Sequence, residues 1–216
     1  MEIRDFDVIV VGGGSAGCVV ASRLCQSSTR AICLVEAGPD FGPCDGGRWP
    51  SSLRDANASP QGHDWGYFEE RERGGEVSAP RGKVIGGCSA YNHCAALWGL
   101  PADYDRWAEA GNPGWSYADL RPLIDQVERN EGGAPEYRGM HGPLPTRSSA
   151  AGELAHWQRA FVESARAAGF PTLSDLSAPD PLEGVAPLHL NVRGSIRWNS
   201  AFAGTKMSSS RLPVTM

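Results

Sequence analysis

The run Val8-Ile9-Val10-Val11 is apolar at every position, with no polar residue interleaved. Such a β-branched run predicts a strand buried on both faces, suited to the centre of a parallel sheet. Gly12-Gly13-Gly14-Ser15-Ala16-Gly17 follows at once. Cys18–Gln26 then carries Val19, Val20 and Leu24 at helical spacing, and Ala31–Val35 predicts a second buried strand that ends in Glu36. Residues 38–80 are rich in Gly, Pro and Ser with few apolar repeats, and read as long loops. A short helix is expected over Asp103–Ala110, closed by Gly111. A second opens with Ser116 as N-cap and Asp119 three residues on, and places Leu120, Leu123, Ile124 and Val127 on one face, with Pro122 near its start. The clearest amphipathic helix is Gly152–Ala168. Its stripe of Leu154, Trp157, Phe161, Ala165 and Ala168 is expected to pack in the core, with His156 one position off it and solvated. Pro187–Asn191 alternates like a strand and leaves His189 as a structural residue or a substrate contact. The Gly/Pro-rich stretch Glu131–Arg147 is the expected domain crossover.

Composition narrows the classes. The 216 residues allow one or two domains, and 41% apolar with 21% charged residues is globular. A net charge of −5 argues against a nucleic-acid partner. No apolar run reaches membrane-spanning length, and the run near the N-terminus is too short for a signal peptide. The six cysteines form no CxxC pair and lack histidines at zinc spacing, so Cys18, Cys25 and Cys33 read as small hydrophobes and no metal site is expected. Reduced thiols fit a cytoplasmic location. Ser15 and Ser89 sit in glycine turns without a G-x-S-x-G frame, so no nucleophilic triad is expected.

Strand, glycine turn, helix, strand and acid in this order form the setting in which GxGxxG binds a dinucleotide. Gly12 permits the tight turn, Gly14 leaves room for a pyrophosphate, and Gly17 lets helix and strand approach. The helix N-terminus offers unpaired N–H groups and partial positive charge. Glu36 is placed to accept hydrogen bonds from ribose hydroxyls, which disfavours a 2′-phosphate. The pattern alone does not separate FAD from NAD. In a second cluster, Gly86-Gly87 precedes small residues and then Asn92-His93. It reads either as backbone passing close to a ligand or as a plain glycine-rich loop.

The stretch Gly82-Lys83-Val84-Ile85-Gly86-Gly87-Cys88-Ser89-Ala90-Tyr91-Asn92 resembles the first signature of the glucose–methanol–choline (GMC) family of FAD-dependent oxidoreductases. Val10–Gly17, Val35–Gly38, Asp64–Tyr67, Pro101–Trp107, Asn112–Ser116, His141–Leu144 and Arg197–Phe202 are similar to family sequence in the same order. The resemblance implies an α/β fold: a Rossmann-like FAD-binding domain of ββα type, followed by the beginning of an α+β substrate-binding domain that is incomplete at the C-terminus. The FAD-binding domain is expected over 1–135, with a βαβ core at 5–38 and cofactor-covering loops at 39–100. The substrate-binding domain is expected to start over 136–195, and 196–216 to return toward the FAD sheet.

By the same resemblance, Gly12, Gly14, Ser15, Ala16 and Gly17 would surround the pyrophosphate. Glu36, with Ala37 beside it, would hold the adenosine ribose. Trp65 would lie near the cofactor, Arg81, Val84 and Gly87 would line the flavin side, and Asn92, His93, Cys94 and Ala95 would run along the ring. Tyr91 stands where some members carry a histidine bonded covalently to FAD, so noncovalent FAD is expected. His93 is open to three readings: a substrate-pocket residue facing the flavin, a structural residue, or a covalent link of its own. Cys88 replaces a residue that is Ser or another small residue in many members, and a thiol fits that space. The family oxidises an alcohol CH–OH group by hydride transfer to FAD, with a general-base histidine in its C-terminal half. None of His63, His93, His141, His156 or His189 matches that position, so no catalytic residue is expected in this chain. The expected function is therefore the FAD-binding part of an alcohol oxidoreductase, inactive alone and completed by a C-terminal polypeptide. A catalytically inactive dinucleotide-binding module is the alternative, with NAD-dependent chemistry behind it.

Overall fold

A computed structural model of the chain describes residues 5–27, 29–72, 74–132, 135–178, 183–205 and 214–215. In chain order the elements begin with β1 (Val8–Val11), α1 (Ser15–Ser27), β2 (Ile32–Val35), α2 (Ser51–Arg54), β3 (Phe68–Glu70) and β4 (Glu76–Ser78). Next come α3 (Pro101–Glu109), α4 (Tyr117–Val127), β5 (Glu128–Glu131), β6 (Leu144–Ser148) and α5 (His156–Ala167). The last are β7 (His189–Leu190), β8 (Val192–Arg193), β9 (Ile196–Arg197), α6 (Ser200–Thr205) and β10 (Val214–Thr215). The chain divides into two compact units, one of residues 1–94 with 194–216 and the other of residues 95–193. Glu131–Arg147, expected as the crossover, lies inside the second unit, where it carries the end of β5 and most of β6.

In the first unit β1 and β2 pair in parallel, with Val8 opposite Ile32 and Val11 opposite Val35. β10 adds to the other side of β2, also in parallel, with Val214 opposite Leu34. Of the segment expected to return toward the FAD sheet, Val214–Thr215 are the strand that pairs here, while residues 206–213 lie outside the described residues. The sheet order β1-β2-β10 makes β2 the central strand, and Ile32, Cys33 and Leu34 are buried. β1 departs from the expectation of a strand buried on both faces: it is an edge strand, with Ile9 60% and Val11 83% exposed. The apolar run correctly marks a strand, but burial of its outer face depends on neighbours that no described residue supplies. The 38–80 stretch is not uniformly loop, because the α2 turn and the antiparallel β3–β4 hairpin form within it.

In the second unit β5 and β6 run parallel and β7 joins β6 antiparallel. Ser116 caps α4 as its spacing predicts, its Oγ accepting the Asp119 N–H at 3.2 Å, and Pro122 sits within the helix. Ile124 is the buried residue of α4, whereas Leu123 is exposed. α5 corrects a second expectation. None of its residues is buried, and Trp157 and Phe161 are 82% and 69% exposed. The unit is held instead by a buried ionic network. The Arg138 guanidinium donates to both oxygens of Asp175 at 2.8 Å, to Glu128 Oε1 at 2.9 Å and to Ser177 Oγ at 2.8 Å. Glu128 also accepts from Trp98 Nε1 at 2.9 Å and from the Gly139 N–H at 3.1 Å. With the Ala96 carbonyl, which accepts from Nη1 at 3.1 Å, every donor of the guanidinium has an acceptor, which burial of a charge requires.

Candidate cofactor site

The site in the first unit is built from two glycine loops. The Gly12 N–H donates to the Val35 carbonyl at 2.7 Å, which draws the turn after β1 against the end of β2. A Cβ on Gly17 would lie 1.9 Å from the Gly12 carbonyl oxygen, so only glycine permits α1 to start this close to the strand. The second loop docks on the first through the Gly86 N–H, which donates to the Gly13 carbonyl at 2.7 Å. A Cβ on Gly87 would lie 2.7 Å from the Gly14 Cα, whereas one on Gly14 would meet nothing nearer than 4.0 Å. Two backbones bare of side chains therefore meet beside the α1 N-terminus, whose first-turn N–H groups have no intrahelical acceptors. That is a cradle for an anion that must come close to main chain.

Glu36 closes this arrangement from the end of β2. It is buried, Oε2 accepting the Gly13 N–H at 2.6 Å and Oε1 accepting the Gly38 N–H at 2.8 Å. Two amide donors fix the carboxylate while each oxygen keeps a lone pair free for a further donor. The sequence showed Gly13 and Gly38 only inside family-like stretches, with no role of their own. Gly13 occupies an unspecified position of GxGxxG, yet it bonds both Glu36 and the second loop. The signal that could have found it is the third consecutive glycine, one more than the motif needs.

The second loop leads through a 3-10 turn at Gly87–Ala90 into a cavity of about 690 Å³, lined by Ser59, Pro60, Ser78, Pro80, Arg81, Cys88, Tyr91, Asn92 and His93. Arg81 is fixed by backbone, its N–H donating to Asp64 Oδ2 at 2.7 Å, and its guanidinium stands 3.7 Å from Glu69. Asp64 also accepts the Gly66 N–H at 2.6 Å, so this carboxylate ties the segment carrying Trp65 to the segment carrying Arg81. Trp65 is half-exposed, stacked on Tyr67, with Lys83 Nζ 4.6 Å from its ring centroid. Asn92 Oδ1 accepts the Cys94 N–H at 3.0 Å, and Cys94 adopts a left-handed φ of 63°. Burial pushes the Cys94 thiol up from its ordinary value, against the lowering influence of Arg197.

Gly12, Gly14, Ser15, Ala16, Gly17, Glu36, Ala37, Trp65, Arg81, Val84, Gly87, Asn92, His93 and Cys94 all lie in the first unit, and Ala95 opens the second. Val84 is wholly buried, backbone included. His93 is exposed and lines the cavity; His189 is buried in the second unit beside Asp175, its Nε2 3.4 Å away.

A parallel sheet, a glycine turn into a helix N-terminus and an acid fixed at the second strand define a dinucleotide-binding α/β protein. The chain belongs to the GMC oxidoreductase family, whose pattern matches residues 6–203. It is 35% identical over 218 residues to the oxygen-dependent choline dehydrogenase of Rhizobium etli, a match covering 97% of this chain and 38% of that protein. The enzyme of the same name from Brucella melitensis is 34% identical, with 95% and 37% covered. Among solved structures, pyridoxine 4-oxidase from Mesorbium loti superposes with a TM-score of 0.84 at 29% identity, covering 97% of this chain and 42% of that one. An FAD-dependent oxidoreductase from Chaetomium thermophilum gives 0.82 at 25% identity, covering 96% and 37%. The chain thus spans about two fifths of the length of these relatives. Family and neighbours imply FAD as the cofactor. The open space over Gly14, the bare contact with Gly87 and the anchored Glu36 fit such a group.

Proposed function

We propose that this chain is the FAD-binding part of an alcohol oxidoreductase acting on a CH–OH group. The meeting of the two glycine loops beside the anchored Glu36 carries this reading. Bound FAD would supply the hydride acceptor that protein side chains lack. The chain's own work is to hold and orient it. The α1 N-terminus would face the pyrophosphate, Gly14 and Gly87 would let it approach, and Glu36 would accept from the adenosine ribose. Trp65, Arg81 and Asn92 to Cys94 would bound the flavin ring, and His93, which lines the cavity, would meet the substrate. The general base on the alcohol is a histidine contributed by polypeptide equivalent to the part of the relatives that this chain does not span. The names of the relatives make small hydroxyl compounds of the choline or pyridoxine kind the first substrates to try. The exposed faces of β1 and α5 favour a chain that does not turn over alcohol by itself.

The purified chain, mixed with FAD, should bind it and quench its fluorescence. Because Tyr91 replaces the linking histidine, denaturation in guanidinium should release all the flavin. Failure to bind FAD sinks the proposal, while flavin retained on the denatured chain sinks only its noncovalent part.

A further inference from the structure

Among the described residues two arginines are wholly buried, and their surroundings differ in kind. Arg138 sits between two carboxylates, Glu128 and Asp175, and its charge is compensated where it lies. Arg197 has no carboxylate partner within salt-bridge distance among the described residues. Its guanidinium is held by main-chain carbonyls, with the neutral Cys94 thiol beside it. Nε donates to Asn92 O at 2.8 Å, Nη1 to Leu53 O at 2.6 Å and Ser52 O at 3.1 Å, and Nη2 to Ala58 O at 2.9 Å. These bonds satisfy the donors, but carbonyl dipoles bring no opposite formal charge. A full positive charge therefore lies inside the first unit. An arginine cannot shed it, because its guanidinium stays protonated at any pH at which a protein folds.

The place of this charge gives it a use. The acceptor of its Nε is the carbonyl of Asn92, first residue of the run proposed to follow the flavin ring. The Cys94 thiol, two residues on, feels the same guanidinium. The Cys94 N–H is in turn fixed by the Asn92 side chain. Arg197 thus both fixes the backbone of this run and places a cation directly behind it. Flavin gains electrons on reduction, and a fixed cation in a medium of low dielectric favours whichever state carries more negative charge.

We propose that Arg197 is a positioning and electrostatic residue of the flavin site, acting through Asn92. Its uncompensated charge makes the site bind reduced flavin more tightly than oxidised flavin. This rests on the FAD-binding reading above and deepens it. The consequence is thermodynamic: preference for the reduced form raises the midpoint potential of bound FAD above that of free FAD. Each tenfold preference corresponds to about 30 mV for a two-electron couple.

The test is a dye-coupled reductive titration of the FAD-loaded 216-residue chain. The wild-type chain should titrate above free FAD. Arg197→Lys, which keeps the charge and loses the fork, should stay within about threefold of wild type in that preference while its visible flavin band changes shape. Arg197→Gln, which loses the charge, should lose at least tenfold. A wild-type potential at or below that of free FAD overturns the inference and needs no variant to fold. So does an Arg197→Gln chain that binds FAD at the wild-type potential. A wild-type chain that binds no FAD overturns the parent reading instead, so the two failures are distinct.

Discussion

At the scale of single residues, what matters at the site is mostly the lack of side chains. Gly14 keeps open the space beside Gly87, and a branched side chain there would fill the approach to the α1 N-terminus. Gly14→Val is expected to abolish FAD binding while the chain keeps its far-ultraviolet circular dichroism; undiminished affinity would mean that the wrong loop has been assigned. Gly12, Gly14, Gly17 and Glu36 were legible in the sequence because their spacing reflects contacts within one βαβ unit. The docking of Gly86 on Gly13 was not, since it joins loops more than 70 residues apart. Arg197 was visible only as part of a family-like stretch. Its carbonyl partners at 52, 53, 58 and 92 have no side-chain pattern that a sequence could show.

At the scale of elements, amphipathicity predicted α5 and misjudged its burial. Trp157 and Phe161 have helical spacing, but no described element covers them. Substituting either with Gln should change stability by no more than about 0.5 kcal/mol, as for other exposed positions. Ile124→Ala, which empties a buried position of α4, should cost about 2–5 kcal/mol. Chemical denaturation of the three variants would check the contrast, and a large loss from Trp157→Gln would show that α5 is covered after all. The network around Arg138 makes its own prediction. Burial, seconded by the charge of Arg138, pushes His189 below its ordinary value of 6.5. Burial raises Asp175, but the Arg138 hydrogen bonds outweigh it and leave the carboxyl below its ordinary 3.8. Both groups bind protons more readily when unfolded, so both destabilise the fold as pH falls. The loss from His189 begins as pH drops below about 6.5, and that from Asp175 follows below about 4. Urea midpoints measured from pH 8 to pH 4 should fall first near pH 6, and His189→Gln should remove that first step. A wild-type midpoint flat down to pH 5 would contradict it.

At the scale of the whole molecule, apolar surface is left over in both units. Ile9 and Val11 lie on the open side of β1, and Trp157 and Phe161 on α5. Exposed apolar faces of this kind mark surfaces made to be covered. The chain spans about two fifths of its relatives, and in them the same elements sit within a much longer polypeptide. The isolated chain is therefore expected to bind the dye ANS and to turn over no alcohol with an artificial electron acceptor. Multiple turnovers by the pure chain would refute the assignment of the general base to polypeptide outside it. The sequence by itself determined the βαβ unit, its glycine turn, the acid at its end, the α4 cap and the family, because each is set by short-range spacing or by contacts within one local unit. Only the tertiary structure decided that β1 lies at an edge, that α5 stands uncovered and that the two glycine loops meet. It also decided that one buried arginine is paired with carboxylates while the other meets carbonyls and a thiol but no carboxylate among the described residues. Burial and charge compensation depend on which distant segments arrive beside a residue, and no local pattern of polar and apolar positions encodes that arrival.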